Sequence, residues 1–176
     1  MVLSCLIAAP FVRAEGIVIS HATSKLVEDV YQLDAKLKFN FDAEMKDALE
    51  HGVSISIDII VMIKRERNWL WDPKIKEETL RFRLEQHPLS NRYLVTNLNN
   101  NHRHQFDTLD DALDFLGTIH NYFLISKSVL SKDEKYNCLL KAELNTETLP
   151  AVIRPIAAVS KKWQLDSPWY EWQINK

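Results

Sequence analysis

The chain has 176 residues, a formal net charge of −2 and 46% hydrophobic residues. This length fits one domain, and this apolar content supplies one ordinary hydrophobic core. The slightly acidic balance argues against a dedicated nucleic-acid-binding protein, because such proteins usually carry a strong basic excess.

The N-terminal segment indicates where the protein works. Residues 2–12 are almost entirely apolar, and Val12, Arg13 and Ala14 follow the small-x-Ala pattern of a secretory cleavage site. The run is shorter than the roughly 20 residues that a membrane-spanning helix needs. We therefore expect residues 1–14 to be a signal peptide, or alternatively a retained anchor or a buried N-terminal element. Residues 15–176 are expected to form a single β-rich domain, located in the periplasm or cell envelope.

Period-two alternation dominates the first half of the domain. In residues 31–41 the odd positions are apolar and the even positions are polar, which predicts a half-buried strand of an antiparallel sheet. Residues 53–65 repeat this pattern, but Ile60 and Met62 make the second face partly apolar. This second strand is therefore predicted to be central.

Further strands follow along the chain. Residues 80–84 alternate, and the polar break at residues 87–91 predicts a hairpin into residues 93–98. Residues 136–144 and 169–174 predict the last two strands. Residues 121–130 fit either a strand or an irregular link, and residues 151–153 are left unassigned between two prolines.

Two short helices interrupt the strands. Asp42 can cap a helix over residues 43–51, which Gly52 would end. Thr108 and Asp111 resemble a capping box, and the apolar side of the helix that follows is predicted to be Leu109, Ala112, Leu113, Leu116 and Ile119. The sequence thus predicts a mainly β protein, an antiparallel β-sandwich of about eight to ten strands with two short inserted helices.

The best candidate metal ligands are His102, His104 and Asp107, with Asp110 as an alternative carboxylate. Two histidines two residues apart on an extended segment point the same way, so both imidazoles can reach one ion. This pattern raises the hypothesis of a zinc- or copper-dependent hydrolase or a metal-binding protein. The competing interpretation is a polar loop over residues 97–104.

Other catalytic patterns are missing from the sequence. It has no G-x-S-x-G turn, and Cys138 lies on the apolar face of a predicted strand, where a buried thiol is expected. We therefore expect a non-catalytic protein without a cofactor.

Tryptophans and arginines provide the candidate binding residues. The tryptophans either fill the ends of a sandwich or form an exposed groove for a partner, and two arginines on one strand can flank an edge and attract an acidic group. The candidate partner-binding residues are Trp69, Trp71, Trp169, Trp172, Arg81 and Arg83.

Two motifs carry a family resemblance. One is F-x-T-L-x-x-A-L at residues 106–113, and the other is W-x-L-x-S-x-W-Y-x-W at residues 163–172. With residues 43–52, 67–71 and 83–93, they make the chain resemble the proteobacterial exported domain-of-unknown-function family four-three-nine-zero over nearly its whole length. The resemblance implies an exported single domain and transfers no catalytic residue or cofactor. We accordingly expect an envelope protein that binds a protein partner, with strand addition to an exposed sheet edge as one route.

Overall fold

The computed structural model describes residues 16–67, 71 and 73–174. Within these residues the chain forms nine strands in two antiparallel sheets and three α-helices. The predicted mainly β, antiparallel fold is confirmed. Residues 1–14, predicted to be the signal peptide, and Trp69 lie outside the described residues.

The smaller sheet has the strand order β1 (Gly16–Val27), β2 (Val30–Asn40) and β7 (Thr118–Ser126). In β2 the alternate residues from Tyr31 to Phe39 are buried, as the alternation predicts. The sequence did not predict β1, because a register shift between Ile19 and His21 interrupts its alternation. Ile119 lies on β7 and not on the preceding helix, so that part of the helix prediction is wrong.

The larger sheet has six strands. Their order is β6 (Arg103–Phe106), β5 (Tyr93–Asn97), β4 (Lys74–Gln86), β3 (Ile55–Arg65), β8 (Tyr136–Leu144) and β9 (Tyr170–Gln173). The position of β3 between β4 and β8 confirms its predicted central place, and β4 and β5 form the predicted hairpin. The sequence did not predict β6, which is short and mostly polar.

Three helices connect the strands: α1 (Ala43–Glu50), α2 (Leu109–Leu116) and α3 (Arg154–Val159). The predicted caps are present, since the Asp42 and Thr108 side chains accept hydrogen bonds from the first turns of α1 and α2. The third helix was not predicted, because six residues are too few to show a period. Pro155 near its start fits the helical preference of proline for the first turn.

Both sheets contribute to one hydrophobic core. Gly117 fixes the position of α2 against that core, because the Leu37 N–H donates to the Gly117 carbonyl at 2.7 Å. A Cβ atom at position 117 would overlap the Leu37 carbonyl oxygen. The glycine therefore allows α2 to end directly against β2, which places the helix beside β5 and β6. Among the described residues, no helix has the length and apolar character to cross a membrane.

Candidate functional site

A groove of about 530 Å³ lies between the edge strand β6 and helix α2. This volume falls within the range of roughly 300–1,000 Å³ that is usual for ligand sites. The groove combines aromatic side chains with carboxylates. Its lining residues are Gln105, Phe106, Asp107, Asp111, Asp114, Phe115 and Thr118.

One side of the β6 backbone is available for hydrogen bonding to a further strand. Among the described residues, β6 pairs with β5 alone. The Asn97 N–H donates to the His102 carbonyl at 2.8 Å, and inward and outward backbone groups alternate along an antiparallel strand. The N–H and C=O groups of Arg103 and Gln105 therefore point away from β5. These two donors and two acceptors can pair with an additional strand.

Aromatic rings form the apolar part of the groove. The Phe115 ring lies 4.5 Å from the His104 ring and 5.2 Å from the Phe106 ring, measured between centroids. Phe115 is 37% exposed, because it lies beside the buried stripe of α2 rather than within it. An apolar side chain of a ligand can pack against this exposed ring.

The carboxylates of the groove have polar partners that a ligand can displace. Arg92 Nε lies 2.9 Å from Asp107, and Lys36 Nζ lies 2.6 Å from Asp114. The Thr108 hydroxyl donates to Asp111 at 2.6 Å. Exposed ion pairs contribute about 0–1 kcal/mol, so a cationic group on a ligand can compete for these oxygens.

The comparison with protein families gives one result. Residues 14–173 match the family model described as Domain of unknown function (DUF4390). The chain belongs to this family. The family named from the sequence motifs is therefore confirmed. No curated protein and no solved structure matches the chain.

The candidate metal ligands of the DUF4390 domain are close in sequence but are not assembled. His102 lies just before β6, the His104 ring packs against Phe115 at an interplanar angle of 40°, and Asp107 is paired with Arg92. Within the described ranges, no group of three or more His, Cys, Asp or Glu side chains is placed to hold a metal ion. The metal-dependent alternative therefore has no assembled ligand set in this part of the chain.

The three candidate tryptophans that the structure describes differ in exposure and in contacts. Trp71 is 96% exposed in the connection between β3 and β4, and Trp169 is partly exposed just before β9. Trp172 is half-buried, and its Nε1 donates to the Ser24 hydroxyl at 3.2 Å. Trp172 is therefore engaged between the two sheets, while Trp71 and Trp169 are exposed.

The two candidate arginines lie on β4, on the face opposite its buried Leu80 and Leu84. Arg81 Nε is 3.8 Å from the Asp58 carboxylate on the neighbouring strand, and Arg83 is exposed. Because β4 is the third strand from the β6 edge, neither arginine lines the groove.

Sequence reasoning missed the groove residues Gln105, Phe106 and Phe115. The sequence pointed to the right segment, since Asp107 lines the groove and His104 contacts Phe115. It assigned metal binding to that segment. The available signal was Phe115, a large aromatic residue outside the apolar stripe of an amphipathic helix.

A larger cleft of about 670 Å³ lies at the far end of the smaller sheet. Its walls are turns and strand ends, including Asp29, Leu130, Lys127 and Lys132. Neither lysine has an ion-pair partner among the described residues. Because these walls contain no run of outward-facing strand backbone, the groove beside β6 is the better candidate for binding an extended chain.

Proposed function

We propose that this domain is an exported, non-catalytic binding module that accepts an extended segment of an envelope protein as an extra strand beside β6. One observation carries the proposal: the edge of β6 that has no strand partner among the described residues adjoins a groove with an exposed aromatic ring. In strand addition, main-chain hydrogen bonds supply affinity and pockets for alternate side chains supply specificity.

The groove defines the chemistry of the incoming segment. Side chains two residues apart along a strand lie on the same face. We therefore expect one apolar side chain against Phe106 and Phe115 and a Lys or Arg close to Asp111 or Asp114. This segment should bind less tightly as the salt concentration rises, because exposed charge pairs are screened.

Export rests on the apolar residues 2–12 and the small-x-Ala pattern that ends at Ala14. Mass spectrometry of the protein recovered from the cell envelope tests this part of the proposal. An N-terminus at Glu15 supports export with cleavage, and an intact N-terminus in the envelope supports a retained anchor. Recovery in the cytoplasm alone would contradict export.

Site-specific crosslinking in the cells that express the protein tests the binding site. A photo-crosslinking residue replaces Gln105 on β6 or, as the matched control, Glu171 on the opposite edge strand β9. We expect one recurring protein to crosslink from position 105 and not from position 171. Adding Phe115→Ser to the position-105 variant should reduce the yield.

Two outcomes would contradict the groove assignment. One is the same set of proteins from both positions, and the other is a yield from position 105 that Phe115→Ser leaves unchanged. Thermal unfolding of each variant provides the control for folding.

A further inference from the structure

Helix α3 and the turn before it present an apolar stripe to solvent. Val152 lies in the turn before α3, and Ile156 and Val159 lie on the helix itself. The three side chains follow an i, i+4, i+7 spacing and are 80%, 54% and 82% exposed. Ala157, on the inward side, is fully buried. An amphipathic helix of a globular protein normally turns its apolar side toward the core. The outward stripe of α3 is therefore an unusual feature.

Two exposed cations flank this stripe. Arg154 begins α3, and Lys161 follows two residues after Val159. Neither side chain has an ion-pair partner among the described residues, and Arg154 Nε donates to the Leu149 carbonyl. The nearby Glu44 carboxylate already binds Lys162 Nζ at 3.0 Å and Trp163 Nε1 at 2.9 Å. The face formed by α3 and Lys161 therefore carries exposed positive charge.

The apolar N-terminal segment joins the domain at the same place. Gly16 lines a small pocket together with Lys161, Lys162 and Leu165. Three residues separate the apolar run 2–12 from Gly16, a reach of at most about 14 Å. A membrane that holds this run is therefore close to Lys161. A basic face with exposed apolar side chains suits the interface of an anionic bilayer.

We propose that the face formed by Val152, Ile156, Val159, Arg154 and Lys161 rests on an anionic membrane surface while residues 2–12 remain attached to the domain. The three apolar side chains enter the headgroup boundary, and the two cations pair with lipid phosphates. This orientation does not depend on an occupied groove beside β6.

Cysteine labelling of the full chain tests the orientation. Val159→Cys is compared with Val129→Cys, an exposed valine at the far end of the smaller sheet, and both variants carry Cys5→Ser. The remaining Cys138 is fully buried. With vesicles of phosphatidylglycerol and phosphatidylcholine, we expect a water-soluble maleimide to label position 159 about tenfold more slowly than without vesicles. The rate at position 129 should not change.

Charge reversal tests the lipid class. Lys161→Glu is compared with Lys132→Glu, an exposed lysine at the far end, each in the Val159→Cys background. Lys161→Glu should restore fast labelling of position 159, and Lys132→Glu should not. Equal slowing at positions 159 and 129, slowing at 129 alone, or no slowing at either position would overturn the proposal. Unchanged protection in Lys161→Glu would overturn the assignment to an anionic surface.

Discussion

The two edges of the six-stranded sheet are alike in backbone and different in surroundings. Strands β6 and β9 each have four residues, and each pairs with one neighbour in its sheet among the described residues. Beside β6 lies the aromatic and acidic groove, whereas the inner side of β9 is occupied because Trp172 is hydrogen-bonded to Ser24 of β1. An open backbone edge therefore becomes a binding site only where neighbouring elements leave room for the side chains of the incoming strand.

The position of α2 produces this difference. The helix ends at Gly117, whose carbonyl accepts a hydrogen bond from Leu37 on β2. This contact holds the helix close to β2 and leaves the groove open along β6. At the other edge, β1 lies against β8 and β9, so no comparable space remains.

The largest expected effect is that of Gly117→Ala. The added Cβ overlaps the backbone of Leu37, and overpacking of this kind costs about 3 kcal/mol. Gly52→Ala is the matched control, since Gly52 has a positive φ of 84° and no atom within 4 Å of the added Cβ. It should cost about 1 kcal/mol. Urea unfolding measures both, and equal losses would contradict the close approach of α2 to β2.

The next effect separates the two edges directly. Gln105→Pro removes an N–H that points outward from β6, so the fold should tolerate it as an edge proline. Loss of one main-chain hydrogen bond should weaken partner binding about tenfold. Glu171→Pro on β9 is the control and should leave binding unchanged. Titration with the partner protein that crosslinking identified measures the binding affinity of each variant. Equal weakening by both prolines would remove the distinction between the edges.

A smaller effect is expected for Phe115→Ala. The ring is partly exposed, so its removal should change the free energy of unfolding by less than about 1 kcal/mol. The lost aromatic contact should weaken binding about fivefold. Phe123→Ala provides a second exposed phenylalanine as the control. If both variants bind the partner equally well, the Phe115 ring is not part of the binding site.

The smallest effect concerns the β9 edge of the sheet. Cys138 on β8 is the register partner of Trp172 on β9, and burial raises the pKa of its thiol from the ordinary value of 9.0 to about 12. The native protein should therefore react slowly with a thiol reagent at about pH 8 and fast in urea. Fast labelling of the native protein would show that β9 opens.

The same raised pKa gives a pH dependence with a definite sign. Between about pH 9 and pH 12 the folded state keeps the thiol proton and the unfolded state loses it. The contribution of Cys138 to stability is therefore complete below pH 9 and declines as the pH rises. A Cys138→Ala variant should lack this decline.

The regular strands could be predicted because alternation is a local signal. Strands β2, β3, β4 and β8 each place one row of side chains in the core, and the sequence shows this directly. Strand β1 was missed because a bulge breaks its period, and β6 because an edge strand with exposed residues has no apolar row. Helix α3 has one inward residue, Ala157, which is too little for a pattern.

The candidate site could be predicted only in part. The sequence drew attention to His102, His104 and Asp107, and the groove adjoins the last two. It could not show that α2 folds back beside β6, because this depends on the contact between Gly117 and Leu37, 80 residues apart along the chain. The sequence grouped Trp172 with the other tryptophans, whereas its hydrogen-bond partner is Ser24 on β1.

Amide hydrogen exchange of the domain, alone and in complex with the partner protein that crosslinking identified, tests the central claim most directly. If the partner adds as a strand to β6, exchange of the Arg103 and Gln105 N–H groups slows on binding, while Glu171 and Gln173 on β9 keep their rates. Slower exchange on β9, or no change at Arg103 and Gln105 in a saturated complex, would contradict strand addition at β6.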